Sequence, residues 1–467
     1  MTRQQVKQRI LQGVGANALS QGIGVLIQLV ALPVFLTVWG VVGYGGWLVL
    51  TSLVAFLALS DVGLATAAAN EMTMCVGGGD RRAALGVFQS TWVLLTVVGG
   101  VILGGIILLA HRSPVVTWLP LQQISADTAA SVIAILAAQV LIVQQTGLLH
   151  AGFRCDGHYA RGQTLSALAR LFEFLAQVVA AFTVGTLLSV AWAGLLARAA
   201  AFVVFWGLLR QTSPWLKLGV AHAQRAPMLR LAPSALAFLG MPLGHALGSQ
   251  GMIQIVAATL GSSAVVIYTA HRTIANIVIQ LIMVINNAIW PEFSTAFGSG
   301  DLRLMRDLHR AACKWALWLS VPVCVALTLV APFALPIWSR GKVELVPALL
   351  GVFLAIVVIR SIWRTSAVVP LATNRHKLLA LLFVAGNGLA CAAALVLGEG
   401  WGLVGIAAAT AGVDVALLAY VLSRSLKTVH DTWRSFLPVV LAFPRQSPGQ
   451  RTALRDAAVC CEPERLR

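Results

Sequence analysis

The sequence predicts an all-α polytopic membrane protein with about twelve transmembrane helices, divided into two six-helix bundles related by pseudo-symmetry. Three observations carry this. Of 467 residues, 58% are apolar and 10% charged, whereas soluble domains carry charge at about a quarter of their positions. The apolar residues gather into segments of about 20 or more, each long enough to cross a hydrocarbon core about 30 Å thick. Two stretches 221 residues apart echo each other. Inside a bilayer every backbone N–H and C=O must be bonded within its own segment, which favours helices. Weak period-2 alternation and abundant Leu, Ala and Val argue against a membrane β-barrel.

In chain order the apolar segments place spans near 14–38, 44–67, 84–110, 128–150, 164–186, 190–209, 231–259, 264–290, 312–338, 346–369, 378–397 and 401–423. Short cytoplasmic loops should hold the Lys and Arg. With the N-terminus inside, 25 of the 33 basic residues fall in cytoplasmic segments and 3 (Arg112, Arg340, Lys342) outside, the other five lying within spans. Both termini are therefore expected in the cytoplasm. This split accounts for the net charge of +17 without nucleic acid, since no segment outside the spans is long enough to fold a basic domain. The first apolar stretch is too long for a cleavable signal peptide and reads as an uncleaved anchor.

The echo pairs the segment from Glu71 to Gly77, Gly79 and Asp80 with that from Glu292 to Gly298, Gly300 and Asp301, and Trp39-Gly40 with Leu260-Gly261. The first of these stretches reads as a cytoplasmic loop and the second as a helix end. Their glycines and aspartates also fit simple turn chemistry, a helix stop followed by an N-cap. Repeats in parallel orientation commonly place a substrate pathway between two bundles. The expected division is residues 1–210 and 231–424 for the bundles, 211–230 for a basic cytoplasmic linker, and 425–467 for a basic cytoplasmic tail lying on the membrane surface.

Polar residues within spans mark candidate sites. The eighth span carries Tyr268, Arg272, Asn276, Gln280, Asn286 and Asn287 within an arc of about 120°, and an arginine there costs a few kcal/mol if it faces lipid. A structural arginine bonded to a neighbour's carbonyls is the alternative. The first span shows Asn17, Ser20, Gln21, Gly24 and Gln28, which fits either a pathway or a helix-packing seam. The fifth presents Arg170 and Glu173, spaced to pair with each other. Arg198 has no evident partner in sequence, and Arg360 and Arg364 could line a cavity or snorkel to the interface. Against these five arginines stand three acids, Asp61, Glu173 and Asp414, candidates for ion coupling. Asp61 could equally cap a helix end. Such a lining favours anions, and the planar guanidinium fork suits phosphate. Pro33, Pro242, Pro322 and Pro332 can kink their helices, while Pro336 and Trp338 fit an interfacial belt.

Enzyme chemistry finds no foothold: there is no phosphate-cradling Gly-Lys-Ser/Thr loop, no His-Glu-x-x-His and no Gly-x-Ser-x-Gly. The seven cysteines show no metal-ligand spacing. We expect no catalytic residue, no metal and no cofactor.

Asn17-Ala-Leu-Ser-Gln21, Pro33, Trp39-Gly40, Tyr44-Gly45, Trp47, Asp61-Val-Gly-Leu64, Asn70-Glu71 and Gly79-Asp80 together resemble the Wzx-type polysaccharide or O-antigen flippases. These form the polysaccharide branch of the multidrug/oligosaccharidyl-lipid/polysaccharide exporter superfamily. The resemblance implies a V-shaped exporter fold around a cationic cavity. It further implies movement of an undecaprenyl-diphosphate-linked oligosaccharide from the cytoplasmic to the periplasmic leaflet by alternating access, powered by an ion gradient. Implied partners are the lipid-linked substrate, membrane lipid and polysaccharide polymerase or assembly proteins. Arg272 becomes the leading candidate for the diphosphate or sugar contact, because related flippases place a cation in the eighth helix. A drug or metabolite exporter of the same superfamily is the competing reading, which calls for an acid deep in the first or seventh helix.

Overall fold

The computed structural model describes residues 3–57, 64–112, 121, 124–224, 240–298, 301–373 and 377–443. The chain is an all-helical membrane protein. Helix α1 (Arg3–Ala55) contains two passes joined at Gly40, whose φ of 67° and ψ of −172° break the helix. Then follow α2 (Leu64–Gly77), α3 (Arg81–Arg112), α4 (Ala126–Cys155), α5 (Tyr159–Thr183) and α6 (Leu187–Thr212). After the connection come α7 (described over 240–260), α8 (Ser262–Gly298), α9 (Leu302–Ser339) and α10 (Pro347–Ser366), which a short turn extends. Helix α11 (Lys377–Thr428) again contains two passes, joined at Gly402 (φ 56°), and α12 (Trp433–Leu441) is short. With α2 completing the second pass, these helices make about twelve crossings.

The repeat is visible in backbone geometry. Gly40 and Gly261 both have positive φ (67° and 85°) with extended ψ (−172° and 170°). Asp80 N donates to Cys75 O and Asp301 N to Ala296 O, each at 2.9 Å. Asp80 Oδ1 then accepts from Ala83 N at 2.8 Å and Asp301 Oδ1 from Leu304 N at 2.9 Å. Both aspartates are thus N-caps. The segment from Glu71 is not a loop, as its sequence suggested, but stays helical to Gly77. Several other helices likewise outrun their apolar stretches, α9 beginning at Leu302 rather than near 312. Backbone bonding and caps end these helices, whereas the edge of the apolar run marks only where lipid ends.

The turns at Gly40, Gly185, Gly261, Arg340 and Gly402 lie at one end of the molecule, here the kink end. At this end the halves share one apolar core. Phe35 stacks on Trp39 (5.0 Å between centroids) and on Tyr44 (5.9 Å), and the cluster continues into Val265, Tyr268 and Phe353 of the other half. Gly45 lets the backbones touch: a Cβ there would come within 2.0 Å of the Ser262 carbonyl oxygen. Small residues at such contacts are what helix association in lipid relies on.

At the terminus end, the connection after α6 is tied to the first half. Gln89 on α3 donates to Lys217 O (2.9 Å) and accepts from His222 N (2.7 Å), while Ser90 exchanges bonds with Gln224. The described residues after α11, up to Phe443, are likewise docked on α9. Arg310 makes a two-point ion pair with Asp431 (2.5 and 2.7 Å), Phe436 stacks on His309 (5.2 Å), and Trp318 donates to Val440 O at 3.1 Å.

Burial alone would raise the Asp431 carboxyl, but hydrogen bonds from Arg310, Ser435 and the Thr432 N–H outweigh it and hold the group down at about 2, below its ordinary 3.8. Because the folded value lies below the unfolded one, docking gains stability from the ionised form at pH above about 4 and loses it as pH falls toward 2. Asp431→Asn should therefore raise the rate of tryptic cleavage at Arg434 several-fold at neutral pH. In the wild type, an acid-active protease should reach α12 progressively across that same window.

Candidate functional site

The polar faces of α1, α7 and α8 meet in a cavity of about 480 Å³ between the two halves, within the ~300–1,000 Å³ usual for small-molecule sites. Gln28, Tyr44 and Thr51 line one wall; Gln250, Arg272 and Asn276 line the other, with Trp338 between them.

Arg272 is positioned by a defect in α7. Leu247–Gly251 forms a π turn, a local irregularity that disturbs the regular i→i−4 bonding of a helix and recurs at functional sites. Arg272 Nη1 donates to the Ser249 carbonyl within this turn at 2.8 Å. The guanidinium carbon sits 5.5 Å from the Tyr268 ring centroid. Tyr268 itself is buried, edge-on to Phe353 at 5.1 Å. It therefore supports Arg272 from below and does not line the cavity, as the polar stripe had implied. Arginine has five donors, so bonding one carbonyl leaves capacity toward the cavity. Gln280 spans the halves, donating to Gln28 Oε1 at 3.0 Å. Asn286 is buried.

Behind Arg272 lies more positive charge. Arg360 grips both oxygens of Asp414 (2.9 and 2.6 Å), and Trp363 Nε1 donates to the same carboxylate at 2.7 Å. Arg364, one turn on, lies over the Trp363 ring at 5.7 Å and has no ion pair with a carboxylate among the described residues. Arg360 acts electrostatically on both Arg272 and Arg364, and all three act on His245. Arg272, Arg360 and Arg364 are thus close neighbours in the C-terminal bundle, and among the described residues only Arg360 is paired with a carboxylate.

The N-terminal bundle is closer to neutral. Arg198 on α6 pairs with Glu173 on α5, and Gln139 on α4 donates to the same carboxylate. Arg198 therefore has a partner that its sequence position did not reveal. Arg170 does not pair with Glu173, despite the three-residue spacing. It reaches α1 instead, donating to the Ser20 hydroxyl (2.5 Å) and carbonyl (3.2 Å). A three-residue step turns about 60° around a helix, enough to point one side chain at α1 and the other at α4 and α6. Asn17 accepts from Tyr159 at 3.0 Å, so the first-span stripe divides: Asn17 and Ser20 bind α5 and Gln28 faces the cavity. Asp61 lies outside the described residues.

Sequence reasoning passed over Gln250 and Gln254, a one-turn polar pair on α7 that its hydropathy pattern could have flagged. Gln254 donates to Val49 O (2.9 Å) and to the Ser52 hydroxyl (2.7 Å) across the halves. Trp338, read as an interfacial anchor, stands in the cavity wall.

A family model described as polysaccharide biosynthesis protein matches residues 81–338, more than half the chain. The chain belongs to that family. No curated protein matches this polysaccharide biosynthesis protein in sequence. Among solved structures it resembles an inward-facing multidrug resistance MATE family transporter of the MOP superfamily, with TM-score 0.70 and 14% identity over 86% of this chain and 98% of the other. It also resembles a MOP superfamily transporter from Pyrococcus furiosus described as having a binding pocket of reverse polarity, with TM-score 0.63 and 14% identity over 91% and 97% of the two chains. A MATE protein in complex with MaL6 matches with TM-score 0.62 and 14% identity over 90% and 97%. The chain shares the fold of these membrane transporters.

The buried Glu173–Arg198 pair yields a stability test. Glu173→Gln strands a buried cation and should cost on the order of 3 kcal/mol, read as a fall in Tm in detergent. Removing both charges, in Glu173→Gln with Arg198→Gln, should recover part of that loss.

Proposed function

We propose that this transporter is a Wzx-type flippase, carrying an undecaprenyl-diphosphate-linked oligosaccharide from the cytoplasmic to the periplasmic leaflet for surface polysaccharide assembly. One observation carries the reading: Arg272 stands in the wall of a polar cavity between the halves, with Arg360 and Arg364 behind it and only Arg360 held by a carboxylate among the described residues. A diphosphate could not leave water without countercharge, and guanidinium groups supply it in two-point geometry. In this reading the prenyl tail stays in lipid while the diphosphate and sugars pass through the cavity.

The roles divide by how each residue is already engaged. Arg272 and Arg364 contact the diphosphate, with Asn276 and Gln280 serving the glycan path. Arg360 contributes charge while held by Asp414, and Arg170 and Arg198 sit on the N-terminal side of the route. Glu173 and Asp414 each hold a guanidinium, so coupling to an ion gradient would proceed by exchange of those partners, with Asp61 the third candidate. The basic turns at the terminus end face the cytoplasm of a bacterial inner membrane, and polymerase or assembly proteins receive the product. Support also comes from the reversed pocket polarity described for the Pyrococcus furiosus relative.

The competing reading is a cation-coupled drug or metabolite exporter, favoured by the shared fold of the multidrug transporters. The sequence has no acid before Asp61, and the described part of α7 has none, so a cation-binding carboxylate is missing from both expected places. Resistance to cationic dyes on expression would favour that reading.

Arg272→Ala should abolish surface glycan, and Arg272→Lys should retain part of it. Normal glycan in a strain expressing Arg272→Ala at wild-type level would sink the assignment. Deleting the gene should leave a lipid-linked oligosaccharide accumulating on the inner leaflet, identifiable by mass spectrometry.

A further inference from the structure

One carbonyl in the first pass of α1 is left without a helical partner for a reason written in the sequence, and a second sits near the end of that pass. Pro33 has no N–H, so the carbonyl of Leu29, four residues earlier, has no donor within the helix. Leu36 lies in the last turn before the break at Gly40, near the negative end of the helix dipole. Both find donors in the other half. Trp338 Nε1 donates to Leu29 O at 2.6 Å and Lys342 Nζ to Leu36 O at 2.7 Å.

The geometry is matched on both sides. Leu29 and Leu36 are seven residues apart, two turns, so their carbonyls lie on one face of α1. Trp338 ends α9 and Lys342 follows the turn made by Arg340 and Gly341, with φ of 54° and 73°. That turn is fixed by Gly341 N donating to Pro336 O at 2.8 Å. One rigid corner of the C-terminal bundle therefore grips one edge of the N-terminal bundle at two points.

We propose that Trp338 and Lys342 are the latch of a gate at the kink end, holding the halves together there and releasing when they part. The chemistry suits a reversible contact. Lys342 is held by a neutral carbonyl, not a carboxylate, so water can replace its partner once the interface opens. The Leu29 carbonyl lies about 16 Å from Gly40 along the helix, and because Pro33 has no N–H no helical donor takes over when Trp338 leaves. Closing the gate and satisfying that carbonyl are thus one event. Gln254, about 10 Å from the same end, and Gln280, farther along α8, add further bridges, but they bond other side chains or intact helix, where no covalent defect demands a partner. The inference needs no assumption about the substrate.

The test uses the full-length protein in sealed membrane vesicles with Thr51→Cys as reporter; Thr51 lines the cavity and bonds only its own helix, at Trp47 and Leu48. A membrane-impermeant maleimide is added from the kink-end side, and the chain with native Thr51 supplies the background. Trp338→Phe with Lys342→Met should label faster by about tenfold, the ratio that one lost charge-assisted hydrogen bond commands. Lys342→Arg keeps a cationic donor and should label like the parent. Pro33→Ala gives Leu29 a helical N–H and should speed labelling by a smaller factor. Labelling of the double variant at the parent rate, with the protein monodisperse, would overturn the proposal, as would an equal rise for Lys342→Arg and Lys342→Met.

Discussion

The constraint underlying this architecture is that a backbone carbonyl in lipid must have a donor. Straight helices meet it by themselves, so most of the chain is featureless α-helix. At Pro33 and at the π turn of α7 a carbonyl is taken up by a donor from another element. At Ser249 that donor is a guanidinium and at Leu29 an indole. Side chains that repair such faults join Gln254 and Gln280 in crossing between elements.

This explains what could be read in the sequence and what could not. Helix class, the approximate number of passes and the duplication follow from hydropathy and from Gly and Asp spacing, because each depends on local chemistry. The same local logic found Arg272 and Asn276, whose polarity is conspicuous in an apolar span. Partner choice was not legible. Arg198 meets Glu173, and Arg360 meets Asp414, through helix packing that brings together residues 25 and 54 positions apart. Nor could hydropathy reveal the π turn that gives Arg272 its carbonyl, or that Trp338 reaches a backbone atom more than 300 residues away.

Charge pairing also separates structural from available cations. Arg198 and Arg360 are already paired with carboxylates. Arg272, bonded to a carbonyl, and Arg364, resting on an indole, keep their full positive charge uncompensated by any ion pair among the described residues. A list of intramembrane arginines treats these as equals, whereas the packing ranks them.

The docking of α12 on α9 ties whatever is attached near residue 443 to the C-terminal bundle, while the strap at Gln89 and Ser90 ties the chain up to Gln224 to the N-terminal one. The two segments that emerge at the terminus end are therefore natural handles on opposite arms of the machine. A fluorophore on each would report the separation of the two bundles directly, far from the cavity that Arg272 lines.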